Sequence, residues 1–447
     1  MTAATIPGPR RRYPGEFALA VARRPLDFLP RLARDFGDVA AFDIGAQPLV
    51  LLSHPDQIRD VLVTHARRFH KGRGLERAKI LLGDGLLTSE DDVHLRQRRL
   101  AQPAFHRTRI AGYGDTMAAY AQRRAATWTD GAELDIAREM ATYTLAVVGK
   151  TLFDADIEAE AHEIGEALAT AIATFNLTVV PWGELLLRLP LPIARRFRRA
   201  RARLDATIYE MIARRRQSGD DRGDLLSMLL LAHDTEGDGG GMSDIQLRDE
   251  AMTLLLAGHE TTANALTWTW YLLSGAPEVE ARLHAEVDAL GERELGAGSL
   301  TRLPYARAVL AEAMRLYPPA WIIGRRALDT YRVGDHLLAS RTVVLMSQWI
   351  VHRDPRWWPE AEAFRPERWL PGGSANDPSR PKFSYFPFGA GTRVCIGEQF
   401  AWMEGVLAIA TIAQRWRLRL AAGHRVVPQP IVTLRAKHGM RMVATRR

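Results

Sequence analysis

The chain is poor in three things. It has one cysteine, Cys395, among 447 residues, so no intrachain disulfide can form and nothing points to an oxidising compartment. It has five lysines against fifty-five arginines. Such a skew reads as coding bias, and arginine runs such as Arg195, Arg196, Arg198, Arg199, Arg201 and Arg203 read as a solvated helix face. It also lacks an uninterrupted apolar run of roughly eighteen residues, which argues against a membrane-spanning helix. Met1–Gly15 carries basic residues with no apolar stretch behind them, so neither a signal peptide nor an anchor is expected, and the predicted location is the cytoplasm. A formal charge of +8 over this length gives a weak average field, and no nucleic-acid-binding motif accompanies it.

With 47% hydrophobic and 25% charged residues, the composition is that of a globular protein with an extensive core. Asp38–Ser53 reads as two short strands around a Gly45-Ala46-Gln47-Pro48 turn. Most of the next three hundred residues carry helical periodicity, for example 117–129 and 204–216. Glu236–Gly241 reads as a connector. After it, Ser243 with Gln246 three residues on predicts a capping box and a long helix to about Ser274. The middle of that helix is apolar nearly all round, yet Gly258, His259, Glu260, Thr261, Thr262 and Asn264 interrupt it. Polar groups inside a buried helix are costly unless satisfied, so this break marks a functional site. The segments 331–346 and 416–445 read as strands, the latter as a terminal hairpin pair.

Chemistry concentrates at Cys395. Phe388-Gly389-Ala390-Gly391-Thr392-Arg393-Val394-Cys395-Ile396-Gly397 places the single thiol in a glycine-rich loop before a helix-like stretch from Glu398. Glycines let backbone N–H groups turn toward a sulfur, and a following helix N-terminus favours thiolate. This segment closely resembles the haem-thiolate signature F-x-x-G-x-R-x-C-x-G of the cytochrome P450 family, matched at every fixed position. Glu312-Ala313-Met314-Arg315 resembles the family's E-x-x-R helix motif, with Phe364–Trp369 similar to the segment whose arginine, here Arg368, completes a buried Glu/Arg/Arg network. Its implied role is to hold the cysteine loop. Ala257-Gly258-His259-Glu260-Thr261-Thr262 resembles the distal motif A-G-x-[D/E]-T-T. A glycine there allows a local widening of the helix.

The resemblance spans roughly 38–443. It implies a mainly α structure with a smaller β-rich lobe, the cytochrome P450 fold, as one domain over 1–447 with about twenty N-terminal residues as a loosely packed arm. It implies haem b with Cys395 as the iron ligand. Phe388, Gly389, Gly397, Ala257 and Gly258 would line the haem, and His94, Arg98, Arg325 and Arg393 would answer its propionates, with Arg326 as the alternative to Arg325. Buried carboxylates need such partners, and His94 and Arg98 share a helix face at i and i+4. Glu260 and Thr261 form the implied proton relay. His259 is expected to turn away from the iron, whose oxygen site must stay open. The implied activity is oxygen insertion into an unactivated C–H bond, with electrons from a separate ferredoxin or flavodoxin and its reductase. Arg96 and Arg99 are candidates for presenting charge to that donor. A peroxide-driven peroxygenase and a non-catalytic haem sensor or carrier are the rival readings, and Glu260-Thr261 argues against both.

The positions that would face substrate are Leu81, Leu82, Leu86, Leu87, Phe175, Leu177, Val180, Thr253, Leu256, Ala257, Ala320, Trp321, Ile322, Val432 and Thr433. The segment 175–193 resembles a mobile lid. These positions are mostly apolar, so the substrate is expected to be lipophilic. Arg73, Arg77 and Lys79, placed in a loop before the His94 helix, offer a carboxylate anchor and tilt the expectation toward a medium- or long-chain fatty acid over terpenoids or steroids.

Overall fold

The computed structural model describes residues 6–155, 161–179, 187, 189–232, 240–291 and 295–447. The expected connector at Glu236–Gly241 lies outside them except for Gly240 and Gly241. Two compact units emerge, one made of Met1–Arg73 with Ala311–Cys395 and the other of Gly74–Leu310 with Ile396–Arg447.

The first unit is built on a five-stranded sheet. Its spatial order is Val39–Ile44, Gln47–Leu52, Val343–Met346, Ile323–Ala327 and Phe69–Lys71. The first two strands form the expected hairpin, with Val39 opposite Leu52 and Ile44 opposite Gln47. Gly45 supplies the positive φ of the tight turn, at 65°. Alternation then selects the core: Val50, Leu52, Val344, Met346 and Ala327 pack with Ile58, Val61, Leu62 and Phe69. From the N-terminal stretch, Phe17 packs against Phe28 and Phe42, and Pro7 O accepts from Ala41 N.

The second unit is dominated by the central helix Asp244–Ser274. Its 31 residues span about 46 Å at the usual rise. The Ser243–Gln246 capping box is formed in both directions, at 3.3 and 3.0 Å. The helix packs along Ile136–Phe153, where Thr144 Oγ1 donates to His259 O at 3.0 Å. The helix Glu398–Ala413 packs on Arg107–Ala126. The C-terminal strands pair as expected, Trp416–Leu420 with Arg441–Arg446 around the small Pro428–Pro430/Leu434–Ala436 hairpin.

One expectation is corrected and one possibility is not realised. Arg73, Arg77 and Lys79 are not in a loop; they lie on a helix, Arg73–Leu82. Leu81 and Leu82 end that helix buried, and this apolar edge is what gives the basic stretch a face to pack. The central helix is also α-helical throughout, with no widening at Gly258. The glycine answers a different need, because a Cβ there would lie 2.9 Å from Val148 Cγ2 of the neighbouring helix.

Candidate active site

In the first unit the cysteine loop is shaped by backbone constraint. Gly389 and Gly391 both take φ of 69°, a region costly to any residue with a Cβ. At Gly391 a Cβ would lie 2.1 Å from Leu62 O, so no side chain fits. Gly389 N donates to Phe386 O, Val394 N to Gly391 O, and Cys395 N to Phe388 O at 2.9 Å. The loop closes on itself and presents Cys395, which is exposed.

What holds the loop is the expected Glu/Arg/Arg network, buried almost completely. Glu312 and Arg315 are 0% exposed and Arg368 5%. Arg315 pairs bidentately with Glu312 at 2.8 and 2.9 Å, and Arg368 Nε reaches Glu312 Oε1 at 3.2 Å. Sequence reasoning missed three further members. Trp369 Nε1 and Arg365 N also donate to Glu312, and His352 connects the network to the loop. Arg315 Nη1 donates to His352 O at 2.8 Å, while His352 Nε2 accepts from Phe386 N at 3.0 Å. Burial, reinforced by the Arg315 charge, holds the His352 imidazole well below its ordinary pKa, so it remains an acceptor. The signal for His352 was faint, since only its contacts distinguish it from the other twelve histidines.

Arg325 and Arg326 lie next to each other in the strand Ile323–Ala327, so they face opposite sides of the sheet. Arg325 shares the side of Ile323, whose Cδ1 would touch a Cβ on Gly389 at 3.6 Å. Arg325 is therefore on the strand side that faces the Gly389 turn, and Arg326 on the other. Arg393 is half-buried two residues before the cysteine. Ala320 and Ile322 are half-buried and Trp321 is buried.

In the second unit the polar break behaves as a built site. Between Leu247 and Trp270 every residue of the central helix is buried except Ala257, Gly258 and Thr261. At i, i+1 and i+4 these three form one open face. Thr261 Oγ1 donates to Ala257 O at 2.7 Å. Glu260 is 5% exposed, and its carboxylate faces the terminal hairpin. Arg435 Nε donates to Glu260 Oε1 at 2.6 Å, Thr433 Oγ1 donates to the same oxygen, and Asn264 Nδ2 reaches Thr433 Oγ1 at 3.2 Å. Arg435 escaped the sequence reading. A buried acid demands a basic partner, but nothing in one dimension selects this arginine 175 positions away. His259 is buried against the Ala141 backbone, and burial lowers its pKa to about 4 despite the neighbouring Glu260 charge.

His94 is buried and Arg98 half-buried on the expected helix, Asp91–Ala101. Arg96, by contrast, donates to Gly240 O and Gly241 O, so its charge is partly engaged within the unit. Leu86, Thr253, Leu256 and Thr433 are buried, and Leu87 and Val432 half-buried. The side chains of Phe175, Leu177 and Val180 lie outside the described residues.

The family model for Cytochrome P450 matches residues 9–439. The chain belongs to the cytochrome P450 family. It is 43% identical to cyclooctatin synthase of Streptomyces melanosporofaciens, over 94% of this chain and 91% of that protein. It is 34% identical to pentalenene oxygenase of Streptomyces avermitilis, over 96% and 95%. Among solved structures it resembles a retinoic acid-bound cyanobacterial CYP120A1, with TM-score 0.89 and 25% identity over the whole of both chains. The chain is therefore a P450 monooxygenase, an oxidoreductase that depends on haem b, O2, a lipophilic substrate and a redox partner. The residues present fit that cofactor: one exposed thiol in a loop that admits only glycine at Gly391, and an open face on an otherwise buried helix. Among the described residues, no helix is long and apolar enough to cross a membrane.

Proposed function

We propose that this P450 hydroxylates a terpenoid, working in the cytoplasm with an acidic ferredoxin or flavodoxin as electron donor. The observation that carries the substrate class is the likeness, over more than nine-tenths of the chain, to proteins named for cyclooctatin and pentalenene, both terpenoids. The fatty-acid expectation gives way. Its anchor rested on a basic loop that is a helix, and Lys79 already pairs with Asp84.

Cys395 would ligate the iron, with Phe388, Gly389, Gly397, Ala257 and Gly258 against the macrocycle and His94, Arg98, Arg325 and Arg393 answering the propionates. When bound, the haem supplies oxygen activation, to which a thiolate ligand contributes electron density. The protein's own part is to exclude water and manage protons. Arg435 and Thr433 engage Glu260 Oε1, which leaves Oε2 as the oxygen free for the relay. Thr261 Oγ1 spends its hydrogen on Ala257 O, so in the relay its lone pairs would accept a proton. The complete acid–hydroxyl pair supports the O2-dependent route over a peroxide-driven one.

For the donor, Arg99 is exposed, and a cleft beside the first turn after Cys395 is lined by Arg107, Arg307, Gln399, Trp402 and Met403. Arg307 lies 4.2 Å over the Trp402 ring. Positive groups over an apolar floor suit an acidic partner.

The reading is tested by titrating terpenes and fatty acids against the ferric haem spectrum and by comparing turnover of the parent with Thr261→Ala. The expected result is displacement of axial water by a terpene at lower concentration than by any fatty acid. Thr261→Ala should retain that binding while most of the coupling of reductant to product is lost, as expected on removing a proton-transfer group. Tighter fatty-acid binding would overturn the substrate class, and unchanged coupling would remove Thr261 from the relay.

A further inference from the structure

The central helix carries an adjacent pair of acidic residues, Asp249 and Glu250, about three turns before Glu260, that the chemistry does not use. Asp249 is 7% exposed and Glu250 0%. Both point at backbone. Asp249 Oδ2 accepts from Asp84 N at 2.8 Å, and Glu250 Oε2 accepts from Leu86 N at 3.0 Å. These amides belong to the turn that links the helix ending at Leu82 to the helix beginning at Asp91.

The turn leaves no room for error. Gly83 has φ of 59°, and a Cβ there would lie 2.0 Å from Asp249 Oδ2. A Cβ on Gly85 would lie 2.3 Å from Thr253 Oγ1 and 2.5 Å from Asp249 O. The turn is closed on its other side by Thr88, whose Oγ1 donates to Gly83 O at 2.6 Å, and by Ser89 N, which donates to Gly85 O at 2.9 Å. Gln97 Nε2 donates to Asp84 O, so the same turn is tied to the helix that carries His94 and Arg98. Arg248 balances the charge of Asp249 at 2.9 Å and pairs with Asp205.

A carboxylate that receives an amide proton in a buried place is stronger than a neutral acceptor, and removing it strands a donor. Two such bonds on amides two residues apart in one turn, with two glycines pressed against the acceptor helix, make a latch. We propose that Asp249 and Glu250 are positioning residues that latch the 83–89 turn to the central helix and thereby set which substrates the enzyme admits. Leu82, Leu86 and Leu87 flank or belong to the latched turn, so its position fixes their side chains. The specificity half of the proposal rests on the reading above that these leucines face substrate.

The experiment uses haem-loaded protein and two measurements. Hydrogen exchange of the peptide spanning Gly83–Ser89 reads the latch directly. The affinity ratio for 4-phenylimidazole and the much bulkier clotrimazole, both of which ligate ferric iron whatever the natural substrate, reads the pocket wall. Glu250→Leu should speed exchange at Leu86 roughly tenfold, as expected when a buried donor loses its acceptor, and should shift the azole ratio severalfold. Glu250→Gln keeps an acceptor oxygen in place and should restore both values toward the parent, a rescue that mere loss of packing would not give. Gly85→Ala, which leaves both carboxylates intact, should loosen the same peptide. Unchanged exchange in Glu250→Leu and Gly85→Ala overturns the latch. Faster exchange with an unchanged azole ratio overturns the specificity role. A parent that binds azoles but no terpene leaves the latch standing and removes the terpenoid reading instead.

Discussion

At the scale of single residues, Glu404 shows what burial does to a group that no partner rescues. It lies on the helix after the cysteine loop, 0% exposed, and neither carboxyl oxygen has a well-aligned hydrogen bond among the described residues. Burial pushes its pKa well above the ordinary carboxylate range, with the Thr262 hydroxyl the modest opposing influence. The folded state then keeps a proton that the unfolded chain gives up near pH 4.3 or so. Stability therefore falls as pH rises past that value, because the unfolded state binds fewer protons. Glu404→Gln removes the penalty. At pH 7 it should stabilise the protein by at least about 1.4 kcal/mol, the equivalent of one pH unit, and the gain should vanish near pH 4 and below. Denaturant midpoints at the two pH values check this. A loss of stability at pH 7 would show Glu404 to be ionised and paired in the fold, and an equal gain at both pH values would show that the gain does not come from its protonation.

At the scale of elements, the cysteine loop depends on two independent supports. One is the left-handed backbone at Gly389 and Gly391, and the other is the chain of contacts from Glu312 through Arg315 and His352 to Phe386 N. Gly391→Ala attacks the first alone. It adds roughly 1–2 kcal/mol of left-handed strain, and its Cβ would also meet Leu62 O. The expected outcome is a folded protein with a lower haem content and a reduced carbon monoxide complex that loses its red-shifted thiolate band on standing. Parent-like haem retention in that variant would show that the Glu312 network suffices. The central helix offers the contrasting case. Its Ser243–Gln246 box caps an element that is buried from Leu247 to Trp270 except at Ala257, Gly258 and Thr261, so packing supplies most of its stability and the cap fixes where it begins.

At the scale of the whole molecule, fifty-five arginines against 52 acidic residues leave the net charge modest, and most of the arginines with identified partners are paired locally. Steering of an acidic donor then depends on which exposed arginines border its docking face, with Arg99 and Arg107 as the candidates. Reduction by an acidic donor should slow as salt rises from about 50 mM to 300 mM, because the Debye length shrinks across that range. Arg99→Glu should weaken that salt dependence and reduce the second-order rate severalfold with the first-order electron-transfer rate unchanged. Stopped-flow reduction at several ionic strengths checks it, and a salt-insensitive rate would exclude electrostatic docking.

The sequence by itself determined the features whose information is local. The Cys395 loop was legible because its glycines and arginine stand in one short segment, and the central helix because a capping box and an apolar stripe mark its start and course. Glu312 and Arg315 were legible at i and i+3. The tertiary structure decided what joins residues far apart in the chain. Arg435 meets Glu260, His352 meets Phe386, and Asp249 and Glu250 meet amides about 165 residues earlier, contacts that no periodicity encodes. It also put Arg325 and Arg326 on opposite sides of a strand and set Gly258 against Val148 of the neighbouring helix. The physical reason is common to all of these. Propensity and capping act within a few residues, whereas burial of charge and close backbone approach are set only when the chain has folded and water has been removed.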